Sequence, residues 1–242
     1  MEKSVPPATP LPASTVVLVR ATDPGGFEIF MNRRPDKTAV YAGMYVFPGG
    51  RVEESDSSPN MLALIRGLTA TEARLILGRA LEPELCLAHW VAAVRELYEE
   101  AGVHFFVPQH GVCDKRAEKG LSERLALKRS LLQQGTIDLA SLLAAENLYC
   151  DLARLRYFFH RVTPEHYPLR FDTHFYLAAL PPHQTPLHSS EEVSESLWIS
   201  ANDALEHAQS GEFPIMPPTV AVLRTLASHG SWNALSHAFH LS

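Results

Sequence analysis

Nine consecutive residues, Arg95-Glu96-Leu97-Tyr98-Glu99-Glu100-Ala101-Gly102-Val103, set the tightest constraint on what this chain can become. The segment reads as the end of a helix, with Gly102 supplying the left-handed residue that stops it. Residues three and four apart share a helix face, so Glu96 lies beside Glu99 and Glu100, while Val91, Val94 and Leu97 point to the opposite side. Like charges at that spacing disfavour a helix by about 0.2–0.5 kcal/mol per pair. A cation held between them would turn repulsion into coordination. A solvated acidic face would show the same spacing, so the surrounding segments have to decide. Upstream, Val46-Phe47-Pro48-Gly49-Gly50-Arg51-Val52-Glu53 reads as a short strand breaking into a glycine pair.

Strand, glycine turn, acidic helix and closing glycine, in that order, resemble the Nudix box, G-x5-E-x7-R-E-U-x-E-E-x-G-U with U aliphatic. The second half matches without a gap from Arg95 to Val103, and the first half departs from the pattern. Asp56 stands where the motif has glutamate, and 44 residues rather than 13 separate Gly50 from Arg95, so about thirty-one residues are inserted inside the box. Later segments, Val162-Thr163-Pro164, Arg170-Phe171-Asp172-Thr173-His174-Phe175, Glu191-Glu192-Val193, Leu197-Trp198 and Pro217-Pro218-Thr219, resemble the coenzyme A diphosphatase branch of the superfamily. The resemblance runs from about residue 13 to residue 226. It implies an α/β (α+β) architecture, the Nudix fold, with a mixed β-sheet between helices. It also implies a metal-dependent pyrophosphohydrolase that cleaves a nucleoside diphosphate linked to another moiety. Coenzyme A or acyl-coenzyme A, split to 3',5'-ADP and phosphopantetheine, is the first substrate it points to. ADP-ribose, NADH and dinucleoside polyphosphates are the alternatives. A Nudix-fold module that binds a nucleotide without cleaving it is the rival from another class, and retention of all three box glutamates favours the enzyme.

Hydrolysing a pyrophosphate requires several negative oxygens to be neutralised while water attacks phosphorus in line. Mg2+ or Mn2+, which take hard oxygen ligands, suits that task. Glu96 and Glu100, at i and i+4, are the first candidates as metal ligands, Glu99 completes the cluster or acts as base, and the resemblance adds the carbonyl near Gly50. A guanidinium facing the ion would oppose its binding, and the resemblance implies that Arg95 enters the catalytic set as the group that orients a carboxylate through a salt bridge. Asp56, Glu53 and Glu54 are the candidate partners for it. Glu192, beside Glu191, is a further candidate base or else a surface acid. Gly49 and Gly50, with Arg33 and Arg34 of the loop that also carries Lys37, are candidate contacts for substrate phosphates, the loop being equally readable as a solvated basic surface. Asp172 serves binding or a strand-end turn.

A net charge of −6 argues against a nucleic-acid partner held mainly through phosphates. No apolar run reaches the roughly eighteen residues of a membrane span, and residues 1–7 lack a secretory apolar core, so no membrane partner is expected and a cytoplasmic location is. The last residues, His240-Leu241-Ser242, do not form an S-K-L peroxisomal address. Cys86, Cys113 and Cys150 lack C-x-x-C spacing and predict neither a disulfide framework nor a zinc site. The histidines show no H-x-x-x-H or H-E-x-x-H pattern and read as surface or capping residues.

The expected organisation is a flexible proline-rich arm over residues 1–12 and one domain over 13–242. The domain opens with a hairpin over 14–34, turned through Asp23-Pro24-Gly25-Gly26. Residues 57–82 form a helical insertion, because Thr69-Ala70-Thr71-Glu72 is a capping box ahead of a leucine-rich stretch ending at Leu81. Pro83 opens the box helix, and residues 104–107 read as a buried strand. Residues 111–150 form two or three amphipathic helices broken at Gly120 and Gly135, a cap or the surface of a homodimer. Strands over 156–162 and 171–179 pair antiparallel, and a strand over 196–199 leads to a helix over 202–208 capped by Ser200 or Asn202. A last helix begins at Thr219.

Overall fold

The structure, a computed structural model, describes residues 7–38, 40–78, 80–109, 115–187 and 193–241, and of 115–119 the backbone alone. β1 (Leu11–Thr22) and β2 (Gly26–Arg33) form the expected hairpin. Then come β3 (Tyr45–Val46), β4 (Gly49–Arg51), a 3-10 turn (Glu54–Ser57), α1 (Pro59–Leu62), β5 (Ile65–Arg66), α2 (Ala70–Leu77) and the long α3 (Pro83–Ala101). β6 (Phe106–Pro108), α4 (Lys115–Gln133), α5 (Leu139–Glu146) and β7 (Leu148–Asp151) follow, then a second 3-10 turn (Leu152–Arg154). The antiparallel pair β8 (Arg156–Val162) and β9 (Phe171–Ala179) leads to β10 (Glu195–Ile199), α6 (Ala201–Ser210), α7 (Pro217–Ala227) and α8 (Trp232–Phe239).

The main sheet runs β10-β2-β1-β9-β8, with β3 paired to β2 and β4 to β1. It is mixed, since β1 is antiparallel to β2 and β4 but parallel to β9. Alternation along the central strands sorts side chains onto two faces. Val16, Leu18, Phe30, Tyr176 and Ala178 join a core built with α3, α4 and α5. Val17, Val19, Ile29, Met31, Phe175 and Leu177 join a second core with α6, α7 and α8. A sheet covered on both faces needs consecutive apolar residues, which is why Val16 to Val19 are all fully buried. Each such side chain contributes about 1.5–3 kcal/mol.

α3 fixes the site. Pro83 occupies its first turn, Gly102 closes it at φ 69°, and its middle is buried on almost every side, Trp90, Val91, Val94 and Leu97 among them. The sheet lies on one side. On the other lie α2, which carries the predicted capping box of Thr69 and Glu72, and α4. Tyr98 donates a short hydrogen bond to the carbonyl of Leu125 in α4, which ties the two helices together.

Several expectations shift. The glycine pair is not a loop after a strand but a strand itself, β4, registered on Ala13, Ser14 and Thr15. The insertion over 57–82 is not wholly helical, because β5 pairs parallel with β7 and β6 lies on the far side of β7, giving a second small sheet. α2 stops at Leu77, where Gly78 turns the chain at φ 101°. Gly120 falls inside α4 without breaking it, a position that costs about 1 kcal/mol against alanine. The arm is shorter than expected, since β1 starts at Leu11 and the carbonyl of Ala8 already accepts from Arg170 Nη1 at 2.7 Å, while residues 1–6 lie outside the described residues. The strand expected over 104–107 is displaced to Phe106–Pro108, the last helix starts at Pro217, and α8 was not anticipated. Among the described residues no helix is long and apolar enough to cross a membrane.

Candidate active site

The 3-10 turn after β4 carries Asp56 to the side of α3, where it is 1% exposed. There it accepts a bidentate pair from Arg95, Oδ1 from Nε at 2.9 Å and Oδ2 from Nη2 at 3.0 Å. Arg95 is therefore paired to the aspartate at the motif's glutamate position, and Glu53 and Glu54 stay exposed. The turn replaces the missing methylene. Arg95 Nη2 also donates to the carbonyl of Arg51 at 2.8 Å, which pins α3 to β4. Nη1 reaches Glu96 Oε1 at 2.8 Å and Glu99 Oε1 at 3.4 Å, so all five guanidinium donors are engaged. Burial opposes the charged guanidinium, but Asp56, Glu96 and Glu99 outweigh it and hold Arg95 more firmly protonated than usual.

The carboxylates converge on the glycine strand. A Cβ at Gly50 would land on the carboxylate of Glu96, so no other residue fits there without displacing that side chain. Glu100, 4% exposed, accepts from Gly49 N at 3.4 Å and from Asn32 Nδ2 at 3.1 Å through the same Oε2. Asn32 is held in turn by Ser196, whose hydroxyl donates to its Oδ1 at 2.7 Å. Glu99 is anchored through its backbone, with its carbonyl accepting from Arg129 Nη1 at 2.6 Å and Gln133 Nε2 at 2.8 Å, both on α4. Burial, opposed by Arg95 and reinforced by Glu99, raises the Glu96 carboxyl from 4.5 to about 7.

This donor set fits Mg2+ or Mn2+. Glu96 lies against Gly50 and Glu100 accepts from Gly49 N, while the neighbouring cation, Arg95, already has all its donors committed. Hard oxygen ligands at a cramped site suit those ions rather than softer ones.

Arg33, Arg34 and Asp172 are engaged by groups other than the box acids. Asn32 and Arg33 occupy opposite faces of β2, and the Arg33 guanidinium is paired with Asp36 at 2.7 Å. Arg34 Nε donates to the carbonyl of Val40 at 3.2 Å. Asp172 is the second residue of β9 rather than part of a turn, and it binds His160 at 2.5 Å. Glu192 lies outside the described residues. Sequence reasoning missed Asn32, Ser196, Arg129 and Gln133. Asn32 left a signal, a polar side chain in phase with Phe30 directly after the apolar run Ile29-Phe30-Met31. The residues of α4 left none, because only the packing of that helix brings them to Glu99.

The family described as the NUDT19 Nudix domain matches residues 10–226. The acyl-coenzyme A diphosphatase NUDT19 of Gallus gallus is 28% identical over 251 residues, which cover 89% of this chain and 65% of that protein. The protein of the same name from Xenopus laevis is 26% identical over 246 residues, covering 88% and 63%. The chain thus spans less than two thirds of the length of either relative. The crystal structure of a Nudix hydrolase from Alicyclobacillus acidocaldarius is similar with a TM-score of 0.71 at 26% identity, over 95% of this chain and 96% of that one.

Proposed function

The chain belongs to the NUDT19 Nudix domain family, and from that premise we propose that it is a divalent-metal-dependent pyrophosphohydrolase acting on acyl-coenzyme A or coenzyme A. The observation that carries the chemistry is the convergence of Glu96 and Glu100 on the Gly49-Gly50 backbone, with Arg95 locked to Asp56 beside them. The names of the relatives support the substrate class.

Bound Mg2+ or Mn2+ would neutralise pyrophosphate oxygens and lower the pKa of the attacking water. Glu96 and Glu100 would supply oxygen ligands, with a backbone carbonyl near Gly50 as a further candidate. Arg95 keeps Glu96 and Glu99 on one edge, so that the site is shaped before substrate arrives. Glu99, partly open and steered by Arg95 at 3.4 Å, is the group assigned to take the proton from water. Asn32 and Gly49 hold Glu100 in place.

The test is a panel of acyl-coenzyme A, coenzyme A, ADP-ribose, NADH and diadenosine polyphosphates, incubated with Mg2+ or Mn2+ and separated by chromatography. Release of 3',5'-ADP, fastest from acyl-coenzyme A or coenzyme A and lost by orders of magnitude in Glu100→Gln, is expected. Faster cleavage of ADP-ribose or NADH would overturn the substrate. No cleavage of any member would overturn the hydrolase and leave a binding module.

A further inference from the structure

A cluster of potential metal ligands lies on the sheet face that packs against α3, two strands from Gly50. In register across the sheet, Gly50 of β4 pairs with Ser14 of β1, Ser14 with His174 of β9, and His174 with His160 of β8. At about 4.8 Å per strand, His174 sits roughly 10 Å from the glycine that cradles Glu96. Asp172 and His174, two apart on β9, share a face, and His160 stacks on His174 with ring centroids 4.5 Å apart. Oδ1 of Asp172 lies 2.5 Å from His160 Nε2 and 4.0 Å from His174 Nε2. One ligand atom from each of the three residues falls within 4.8 Å of the others.

His174 is 3% exposed, yet Nδ1 has no hydrogen-bond partner among the described residues and Nε2 is beyond hydrogen-bond reach of Asp172. The 4.0 Å gap between His174 Nε2 and Asp172 Oδ1 is too long for a hydrogen bond and is the place an ion would occupy, with the ring proton of His174 on Nδ1. The other neighbour, His89 of α3, is itself occupied by Ser14 Oγ at 3.1 Å and meets the ring edge-on.

We propose that His160, Asp172 and His174 bind a single zinc-class divalent ion, at a site separate from the Nudix carboxylates. Two imidazoles and one carboxylate are the donors of open zinc sites, whereas Mg2+ prefers oxygen alone. Ligands about 2.0–2.1 Å from a tetrahedral ion stand about 3.4 Å apart, between the 2.5 and 4.0 Å seen here. Rotation of the half-exposed His160 and Asp172 side chains therefore suffices to close the shell. Binding through Nε2 requires the ring proton of neutral His160 to sit on Nδ1, so the Nε2 lone pair replaces the hydrogen bond to Asp172.

Tag-free, chelator-treated protein is titrated with Zn2+ against a chromophoric chelator, and with Co2+ by visible absorption. The background is Glu96→Gln/Glu100→Gln, so that the box acids do not compete. One equivalent of each ion should bind, with Co2+ giving d-d bands of nitrogen and oxygen ligation. His160→Ala and His174→Ala should each lower the Zn2+ affinity by more than the 10–100-fold that outer-shell changes cause. His160→Ala keeps the proposal testable should His174→Ala fail to fold, as judged by circular dichroism. Equal Zn2+ affinity with and without His160, or no binding by the parent background, overturns the site.

Discussion

Replacing Glu96 by glutamine should stabilise the metal-free protein above neutral pH while abolishing its turnover. The carboxyl is only 12% exposed and sits against Gly50 and Glu99, and burial raises it from 4.5 to about 7 even with Arg95 at 2.8 Å. A raised native pKa means that the folded state binds the proton more tightly than the unfolded chain. The stabilising contribution is therefore complete below pH 4.5 and is lost as pH rises through 7. At about 1.4 kcal/mol per pH unit, the gap is worth about 3 kcal/mol. Glutamine reproduces the protonated form, and its amide oxygen still accepts from Arg95 Nη1. Urea unfolding in chelator should show the two proteins equally stable at pH 4 and the variant ahead by up to about 3 kcal/mol at pH 8. Added Mg2+ should reverse the order, because ion at a thousandfold excess over its Kd adds about 4.1 kcal/mol to the protein that binds it. A glutamine variant less stable than wild type at pH 8 in chelator would refute the reasoning.

Asp56→Ala leaves the Arg95 guanidinium buried without its bidentate partner, and urea unfolding should show a loss of about 3–5 kcal/mol. Gly50→Ala drives a methyl into the Glu96 carboxylate, so kcat should fall about a hundredfold while the circular dichroism spectrum is unchanged. Arg129→Ala removes one of two donors to the Glu99 carbonyl; kcat should fall with KM nearly constant, and stability should drop by only about 1 kcal/mol since Arg129 is half exposed. Deleting residues 57–82 removes β5, α2 and the buried Met61, and the product should lack a cooperative unfolding transition by circular dichroism. A stable, active deletion would show that the insertion is ornamental.

The catalytic helix was legible because its signals are local. Pro83, Gly102 and the acid spacing lie within the element they shape, and the hairpin and the β8–β9 pair announced themselves through alternation and turn residues in the same way. What was hidden depends on contacts distant in sequence. The two-residue strand β5 has no pattern of its own and exists because Cys150 and Asp151 pass beside Ile65 and Arg66. Gly120 looks like a breaker until the length of α4 is seen to tolerate it. Asp56 was one of three acids that could have answered Arg95, and only the 3-10 turn selects it. The histidines gave no motif because His89, His160 and His174 meet from three different elements.

The ion pair between Asp56 and Arg95 also clasps the two ends of the intervening excursion. A ring closed at its base grows in closure entropy only with the logarithm of its length, about 0.6 kcal/mol per doubling. The polypeptide between the clasped ends can therefore lengthen at little cost to the carboxylates beyond it. A search pattern that fixes the gap between glycine and arginine would pass over such a chain, whereas one that asks only for an acid able to reach the arginine would find it.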